Sequence, residues 1–508
     1  MTTLEGRLTG SLPAPTAAVV DTSAGSIRGL YADGVTVFRG VPYAAPPVGL
    51  HRLRPPAPVA PWSGIRAATE WGPKPPQLPY PPPFDALIPE RGPLGDDCLN
   101  LNIWTPDRGS AGLPVMVWIP GGMFEAGSGA TYDGSRFARD GVVCLTINYR
   151  TAAEGFLYCG DEIANLGLLD QIAALQWVQQ NIAAFGGDPG NVTVFGQSAG
   201  GMSVGTLLSM PRARGLFRRA IAQSGGAHQV ISPDGARTVA RRLAGKLGIT
   251  ASREAFATAP VERLLQAQAE LKADLVRHPD PERWGIEAVV SLMPWQPVID
   301  GDVVPARPID RIVAGAGRDI DLMVGATTEE FRFFLVPNGA IDRVTPEALA
   351  AVIRAYGLPV EAALACYRAS ASSAAAGDLL AAVQSDWYFR IPVLRLADAH
   401  ATGPARTYRY EFAWRSSLYG GRLGACHGAD IGFVFDTLGT GTEALEGDDP
   451  PAELARTMHA AWVGFARNGD PGWPKYDRTR RSTMRFDTTS AVVYDPQSRE
   501  RVLWEGVR

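Results

Sequence analysis

The sequence predicts an α/β protein with a mostly parallel central sheet that is flanked by helices. Apolar runs at 113–119, 142–148 and 192–195 have the composition and length of buried strands. Residues 165–185 place apolar side chains at helical spacing between the second and third of these runs. Strands that alternate with helices pair in parallel, because each connection crosses back over one face of the sheet.

Length and composition fit one large catalytic domain. The chain has 508 residues, of which 46% are hydrophobic and 20% are charged, so it has ample apolar content for a large core. No internal repeat is found, and no low-complexity tract is long enough to act as a linker. We therefore expect a single domain over residues 1–508, with a helical subdomain at about 340–400.

Charge and cysteine content narrow the partners and the compartment. The formal net charge of −4 gives no reason to expect nucleic acid or an anionic membrane as a partner. Residues 1–18 lack the apolar core of a secretory signal, and no apolar run has the length of a membrane span. Five scattered cysteines fit free thiols in a reducing compartment better than a disulfide framework. We expect a cytoplasmic protein, as a monomer or a small homo-oligomer.

Two early segments are candidates for parts of a binding cleft. Residues 74–83 (KPPQLPYPPP) are too rich in proline for a helix or a central strand, which predicts an extended loop at the rim of a cleft. The strand at 113–119 leads into a glycine turn at 120–124 (PGGMF). We expect the backbone N–H groups of Gly122 and Met123 to donate to a developing oxyanion. The competing interpretation is an ordinary glycine turn.

A serine stands at the apex of a predicted strand, turn and helix. Residues 196–200 (GQSAG) follow the strand at 192–195 and lead into a helical segment. The glycines on either side of Ser198 allow a tight turn that exposes the hydroxyl at a helix N-terminus above the sheet. We expect Ser198 to be a nucleophile and the N–H of Ala199 to be a third oxyanion donor. The alternative is an incidental serine in a glycine-rich loop.

The acid that orients the base is predicted at the carboxyl end of a later strand. Residues 322–325 (LMVG) have the pattern of a buried strand, and Glu329 and Glu330 follow shortly after it. Catalytic groups in open α/β sheets gather at the carboxyl ends of the strands. The residue pattern alone does not choose between the two glutamates.

The base must come from six histidines. His427 lies in a late loop of small residues at 424–430 (GACHGAD), from which it can reach over the sheet edge toward Ser198. The alternative for His427 is a loop histidine that is simply exposed to water. Four other histidines lie in helical, charged or proline-rich segments, and His228 follows the serine too closely for the order serine, acid, histidine. We expect His427 to be the base.

The last part of the chain is predicted to contain helices and then strands. Residues 345–400 are alanine-rich and mostly helical in pattern, with a break at 357–359 (GLP). Short apolar runs return at 407–414 and at 484–494, where further strands are expected.

These residues resemble the type-B carboxylesterase family, the cholinesterase-like branch of the α/β-hydrolase fold. Residues 38–49 (FRGVPYAAPPVG) look like the opening motif of the family, and residues 97–104 (DCLNLNIW) look like its second signature. The stretch from 165 to 189 leads into the Ser198 turn in the family manner. The resemblance covers nearly the whole chain, and bacterial para-nitrobenzyl-esterase-like members look most similar.

The resemblance implies a serine carboxylic-ester hydrolase that forms an acyl-enzyme intermediate. It implies a Ser198–His427–Glu330 triad, because the acid of the family is the second acidic residue of its motif. It also implies that the oxyanion donors are the N–H groups of Gly122, Met123 and Ala199. Candidates for the pocket or for support of the triad are Gln197, Ser224, Phe124, Met293 and Trp295. For Met293 and Trp295, which would line an acyl pocket, plain core packing is the alternative.

Three residues depart from the family pattern. Pro120 stands where the family usually has a histidine, so a side-chain hydrogen bond that shapes the oxyanion loop cannot form, although proline fixes φ. Met123 stands where glycine or alanine is common, and at positive φ it would cost on the order of 1–2 kcal/mol. Gln197 replaces the usual glutamate beside the nucleophile, which removes one negative charge near His427.

The expected substrates are small to medium esters with hydrophobic or aryl groups. Aryl carbamates or amides are the alternative substrates, because their carbonyl groups make the same tetrahedral demand on the site. An inactive cholinesterase-like binding protein is the alternative from a different class, and it would need a broken triad. No cofactor is expected, and no spacing of histidine, cysteine and carboxylate residues looks like a metal site.

Overall fold

The computed structural model describes residues 16–106, 111–440 and 444–507. Residues 1–15 lie outside the described residues. The prediction that residues 1–18 lack a secretory signal falls mostly on this segment.

The thirteen strands found in these described residues form one sheet. They are β1 (Thr16–Thr22), β2 (Gly25–Ala32), β3 (Val35–Pro42), β4 (Ile65–Ala67), β5 (Asn100–Thr105), β6 (Leu113–Ile119), β7 (Val143–Ile147), β8 (Gly187–Gln197), β9 (Arg219–Gln223), β10 (Asp321–Thr327), β11 (Thr407–Phe412), β12 (Ser482–Phe486) and β13 (Ala491–Tyr494). All the apolar runs interpreted as strands are strands in the structure.

The sheet is parallel in its centre and antiparallel at its edges. Its hydrogen-bonded order is β1-β2-β3-β5-β7-β6-β8-β9-β10-β11-β12-β13, and β4 pairs with β2 off this path. Each neighbouring pair from β7 to β12 is parallel. The pairs that join β1, β2, β3, β5 and β7 are antiparallel, as is the pair of β12 with β13. The predicted mostly parallel sheet is confirmed.

Helices connect the parallel strands and cover the sheet. They are α1 (Ser135–Arg139), α2 (Ala152–Phe156), α3 (Leu166–Asn181), α4 (Ala199–Ser209), α5 (Pro233–Leu247), α6 (Arg253–Thr258), α7 (Val261–Arg277), α8 (Pro281–Trp284), α9 (Ile286–Ser291), α10 (Pro308–Val313), α11 (Arg332–Leu335), α12 (Pro346–Ala355), α13 (Val360–Ser370), α14 (Ala376–Ser385), α15 (Ile391–His400), α16 (Ile431–Phe435), α17 (Ala452–Asn468) and α18 (Ser498–Leu503).

The apolar core lies on both faces of the sheet. Alternate residues of a strand point to opposite faces. In β6, Val115 and Val117 belong to one large buried cluster, whereas Met116 and Trp118 belong to a second one. Strand β6 is therefore apolar along its whole length and almost entirely buried, because neither of its faces is open to water.

The carboxyl ends of the central strands meet at one edge of the sheet. Ile119 at the end of β6 lies level with Gly196 in β8, and Gln197 at the end of β8 lies level with Gln223 at the end of β9. Gly325, near the end of β10, is also level with Gln223. The loops that leave these ends carry the glycine turn, Ser198 and the two glutamates, so the topology gathers the predicted site.

Residues 346–400 are largely helical. Helices α12, α13 and α14 are followed by a π-helical turn, Asp386–Arg390, and by α15, which packs against β10 and α10. The predicted break at 357–359 separates α12 from α13. Among the described residues, no helix taken alone is long and apolar enough to cross a membrane. The pair α12 and α13 meets that test of length and composition only when joined, and it is bent by 113°.

Candidate active site

Ser198 lies in a strained turn between β8 and α4. Its backbone angles are φ 58° and ψ −125°, a combination that residues with a Cβ rarely adopt. Its N–H donates to the carbonyl oxygen of Gln223 at 2.9 Å, which ties the turn to β9. A Cβ at Gly200 would lie 1.9 Å from the carbonyl oxygen of Ile119, so this position requires glycine. The turn therefore sits tightly against the ends of the neighbouring strands.

Glu330 and His427 are in direct contact. Oε2 of Glu330 lies 2.5 Å from Nδ1 of His427, and the backbone N–H of His427 donates to the carbonyl oxygen of Glu330 at 3.2 Å. Glu330 is fully buried, and its Oε1 accepts from the N–H of Thr327 at 2.8 Å. The carboxylate is thus fixed at both oxygens, and it orients the imidazole through Nδ1.

Glu329 points elsewhere. Its carboxylate pairs with Arg332 at 2.9 Å and with Arg415, and it accepts from the N–H of Ala425 at 3.1 Å. A Cβ at Gly424 would lie 2.4 Å from Oε2 of Glu329, so the carboxylate packs directly on the loop that carries His427. Of the two adjacent glutamates, Glu330 contacts the histidine and Glu329 supports its loop from outside.

Gln197 joins the serine turn to the histidine. Its Nε2 lies 3.2 Å from Nε2 of His427 and 3.4 Å from Nδ1. With the Nδ1 proton directed at Glu330, Nε2 of a neutral ring is an acceptor, and the Gln197 amide donates to it. The residue next to Ser198 therefore contacts the ring nitrogen that a general base would use.

The glycine turn after β6 has three consecutive residues with positive φ. The angles are 118° at Gly122, 59° at Met123 and 60° at Phe124. A Cβ at Gly121 would lie 3.1 Å from the Cβ of Ser198, so the turn lies against the serine. Neither Gly122 nor Met123 donates its N–H to an acceptor within the described part of the chain. Both N–H groups can therefore serve as donors.

Phe124 belongs to the interior rather than to an open pocket wall. Its ring is fully buried and packs edge-on against Phe156 at a centroid distance of 5.0 Å. Its carbonyl oxygen accepts from the N–H of Ala152 at 2.6 Å. Phe124 thus anchors the turn that carries Gly122 and Met123.

Three phenylalanines surround the imidazole of His427, and the sequence analysis did not identify them. The ring centroids of Phe389, Phe334 and Phe333 lie 4.5, 5.4 and 6.2 Å from that of His427. Phe333 and Phe334 follow Glu330 closely, so the run of aromatic residues there was an available signal. Phe389 lies on the π-helical turn, and nothing in the local sequence indicates where it points.

A second buried carboxylate, that of Asp430, lies near Glu330 and His427 and was not predicted from the sequence. Asp430 is fully buried, and its Oδ2 accepts from Nε2 of Gln223 at 3.1 Å and from the hydroxyl of Tyr410 at 3.2 Å. Burial, together with the nearby charge of Glu330, raises the pKa of Asp430 to about 6. Its position three residues after His427 in the same loop was the available signal.

The remaining predicted residues are buried near the sheet edge or in the core. Ser224 has φ 47°, and its N–H donates to the carbonyl oxygen of Gly325 at 2.7 Å. Its buried Oγ has no hydrogen-bond partner among the described residues, so no contact with the histidine is seen. Met293 and Trp295 are both buried in the larger core cluster. Their predicted role in an acyl pocket stays a prediction.

The comparisons with known proteins agree along nearly the whole chain. A family model described as the carboxylesterase family matches residues 16–503. The chain is 36% identical over 504 residues to the para-nitrobenzyl esterase of Bacillus subtilis (strain 168), covering 95% of this chain and 97% of that protein. It is 37% identical over 508 residues to the phenmedipham hydrolase of Pseudarthrobacter oxydans, covering 95% and 96%.

Solved structures agree as well. The Geobacillus stearothermophilus carboxylesterase EST55 matches with a TM-score of 0.83 and 38% identity, over 96% of this chain and all of that one (100%). A structure of PNB esterase also matches with a TM-score of 0.83, at 34% identity over 96% of this chain and 99% of that one. The chain therefore belongs to the carboxylesterase family, and it is a type B carboxylic ester hydrolase with the α/β-hydrolase fold.

Proposed function

We propose that this protein hydrolyses carboxylic esters through a triad of Ser198, His427 and Glu330 and an acyl-enzyme intermediate. The observation that carries the proposal is the 2.5 Å contact between Glu330 and His427, beside a strained serine turn. Each element of this arrangement has a chemical purpose. A serine hydroxyl needs a base to remove its proton, and the base needs a fixed tautomer.

In the proposed mechanism, Oγ of Ser198 attacks the ester carbonyl while Nε2 of His427 takes the hydroxyl proton. Glu330 stabilises the imidazolium that forms. The tetrahedral oxyanion accepts hydrogen bonds from the N–H groups of Gly122, Met123 and Ala199. The intermediate then expels the alcohol, to which His427 returns the proton. Water, activated by the same imidazole, attacks the acyl-enzyme and releases the carboxylic acid and free Ser198.

The expected substrates are small to medium esters with hydrophobic or aryl groups. The rings of Phe333, Phe334 and Phe389 make the surroundings of His427 apolar and aromatic, which supports substrates with hydrophobic or aryl groups. Met293 and Trp295 are the proposed walls on the acyl side. The para-nitrobenzyl esterase relative supports an aryl-bearing substrate. We also propose a cytoplasmic location, without a nucleic-acid or membrane partner.

Carbamate hydrolysis is the second candidate. It is supported by the phenmedipham hydrolase of Pseudarthrobacter oxydans, a relative of similar identity. A carbamate would pass through the same steps, with a carbamoyl group on Ser198 in place of the acyl group. Comparing nitrophenyl esters of increasing acyl length with one aryl carbamate would rank the two candidates by kcat/KM.

Labelling with a nitrophenyl organophosphate tests the nucleophile. We expect one equivalent of nitrophenol in a burst and a phosphorylated peptide that contains Ser198, because only an activated serine reacts rapidly. Ser198→Ala should take no label and should lower turnover by about 10⁶. An unlabelled wild-type protein would contradict the proposal and favour a non-catalytic binding protein, whereas a label on another residue would contradict Ser198 as the nucleophile.

The two neighbouring glutamates provide a matched test of the acid. Glu330→Gln should lower kcat by about 10³–10⁴, because an amide does not fix the reactive tautomer or stabilise the imidazolium. Glu329→Gln removes the same charge one residue away and should change kcat only a few-fold. Equal losses of kcat in the two variants would contradict the assignment of Glu330 as the acid of the triad.

A further inference from the structure

The oxyanion loop, residues 120–127, is held in a conformation that it would not adopt alone. Met123 and Phe124 both have positive φ, and such strain persists only where the surroundings enforce it. Pro120, at the start of the loop, has no side-chain donor with which to secure it. The loop must therefore be fixed by residues outside it.

Part of the support comes from Tyr149 and from hydrogen bonds within the loop. The hydroxyl of Tyr149 donates to the carbonyl oxygen of Pro120 at 2.9 Å. The N–H groups of Glu125 and Ala126 donate to the carbonyl oxygen of Gly122 at 2.9 and 3.0 Å, which closes the loop on itself. These bonds fix the first half of the loop and its internal turn.

The far end of the loop is held by the proline-rich segment, residues 74–83. Oε1 of Gln77 accepts from the N–H of Gly127 at 2.6 Å, and Gln77 is 4% exposed. A Cβ at Gly127 would lie 2.4 Å from the carbonyl oxygen of Gly121, so Gly127 presses directly on the residue beside Ser198. The amide of Gln77 thus bonds to Gly127, which contacts Gly121, the chain neighbour of the proposed donor Gly122.

The proline-rich segment is itself anchored on both sides of Gln77. The buried ammonium group of Lys74 pairs with Glu90, and the N–H of Lys74 donates to the carbonyl oxygen of Pro93 at 2.8 Å. The N–H of Tyr80 donates to Oε1 of Glu90 at 3.2 Å. The segment around Gln77, which has no helix or strand, is thereby bonded to Glu90 and Pro93. Its prolines restrict the backbone further.

We propose that Gln77 is a positioning residue that holds the oxyanion loop in its active conformation through its hydrogen bond to Gly127. This inference rests on the proposed function. It assigns a structural role in catalysis to a segment that the sequence analysis interpreted only as the rim of a cleft.

Gln77→Leu tests the proposal, because leucine fills much of the space of glutamine but has no hydrogen-bond acceptor. A loop donor that moves away from the oxyanion lowers transition-state binding more than substrate binding. We expect kcat to fall by about 10- to 100-fold with KM changed less than about 3-fold. The inhibition constant of an aryl trifluoromethyl ketone, which forms an oxyanion on the serine, should rise by the same factor as kcat/KM falls.

Two variants separate positioning from general destabilisation. Gln77→Glu keeps an acceptor oxygen in either protonation state and should recover most of kcat. Asn181→Leu is the matched control, because Oδ1 of the buried Asn181 accepts the N–H of Ser23 at 2.7 Å near the other end of the parallel strands. It should lose stability but keep kcat. If Gln77→Leu does not fold, Gln77→Asn, which withdraws the amide by one methylene, should show the same loss confined to kcat.

Organophosphate labelling distinguishes failure of the proposed function from failure of the role of Gln77 alone. If the wild-type protein is not labelled at Ser198, the proposed function fails. If the wild type and the Gln77 variants are all labelled, but kcat and the ketone inhibition constant are unchanged in the variants, only the role of Gln77 is overturned. An equal loss of kcat in Asn181→Leu would also overturn it.

Discussion

Four residues around the proposed site hold positive φ angles that residues with a Cβ usually avoid, at a cost of about 1–3 kcal/mol each. They are Met123, Phe124, Ser198 and Ser224. The two serines are tied to neighbouring strands through their backbone N–H groups, which donate to Gln223 and Gly325. The rigid edge of the sheet thus enforces the strain. This arrangement keeps the proposed reacting groups in place before a substrate arrives.

Asp430 should make the stability of the protein depend on pH. Burial and the charge of Glu330 raise its pKa to about 6 in the folded protein, above the ordinary value of 3.8 for an aspartic acid. The folded state therefore holds this proton more tightly than the unfolded state. The contribution of Asp430 to stability is most favourable below about pH 4, falls as the pH rises to about 6, and is constant above that.

Asp430→Asn should remove this dependence while keeping an acceptor for Gln223 and Tyr410. Urea unfolding at pH 4.5 and pH 7.5 is the measurement, with the wild type in parallel. We expect the stability of the variant relative to the wild type to increase between the two pH values by on the order of 1–3 kcal/mol. A difference between the two proteins that does not change with pH would contradict a raised pKa at Asp430.

At the scale of single residues, sequence reasoning succeeded where the local pattern determines the backbone conformation. The glycines around Ser198 and the small-residue loop around His427 indicate tight turns near a sheet edge, and the structure has turns at both places. Asp430 and Phe389 were missed. Their environments are formed by strands and helices distant in the chain, and no local spacing encodes such contacts.

At the scale of elements, the π-helical turn Asp386–Arg390 presents Phe389 to His427. Asp386 and Arg390 form a buried bidentate pair at 2.5 and 2.6 Å. The hydroxyl of Tyr367 donates to the same carboxylate at 2.5 Å. Burial disfavours a charged guanidinium, but the adjacent Asp386 outweighs it and raises the pKa of Arg390. The π-helical turn that carries Phe389 is therefore fixed by the buried polar cluster of Asp386, Arg390 and Tyr367.

Breaking this pair should destabilise the protein strongly. Asp386→Asn leaves the buried Arg390 guanidinium without its paired carboxylate, and we expect a loss of about 3–5 kcal/mol in the free energy of unfolding. The exposed pair of Glu453 and Arg456 on α17 has similar sequence spacing and is the control. Glu453→Gln should change stability by less than about 1 kcal/mol. Similar effects in the two variants would show that burial does not set the strength of the pair.

The elements themselves were predictable to different degrees. The strands at 113–119 and 192–195 and the helix at 165–185 were evident because apolar periodicity and burial agree there. The π-helical turn was not predicted, because an extra residue in a helical turn leaves no mark on that periodicity. The proline-rich segment was correctly expected to lack helix and strand. Its hydrogen bond to Gly127 of the oxyanion loop comes from Gln77, which no local pattern marks.

At the scale of the whole molecule, two large core clusters pack on the faces of one sheet, and no disulfide joins the cysteines. The cysteines at 98, 144, 159, 366 and 426 are all free. Three of them, Cys98, Cys144 and Cys426, are buried, and burial raises the pKa of each thiol. Cys159 and Cys366 are only partly buried. Since the thiolate is the reactive form, all five thiols of the native protein should react slowly.

Thiol titration with Ellman's reagent therefore checks that all five cysteines are free and that few of them react in the native protein. In the native protein at neutral pH, we expect at most Cys159 and Cys366 to react, and to react slowly, since burial raises the pKa of Cys159 to about 11. After unfolding in urea without reductant, all five thiols should react. A reducing agent should leave the Tm unchanged. Fewer than five reactive thiols after unfolding, or a lower Tm with reductant, would reveal a disulfide that stabilises the fold.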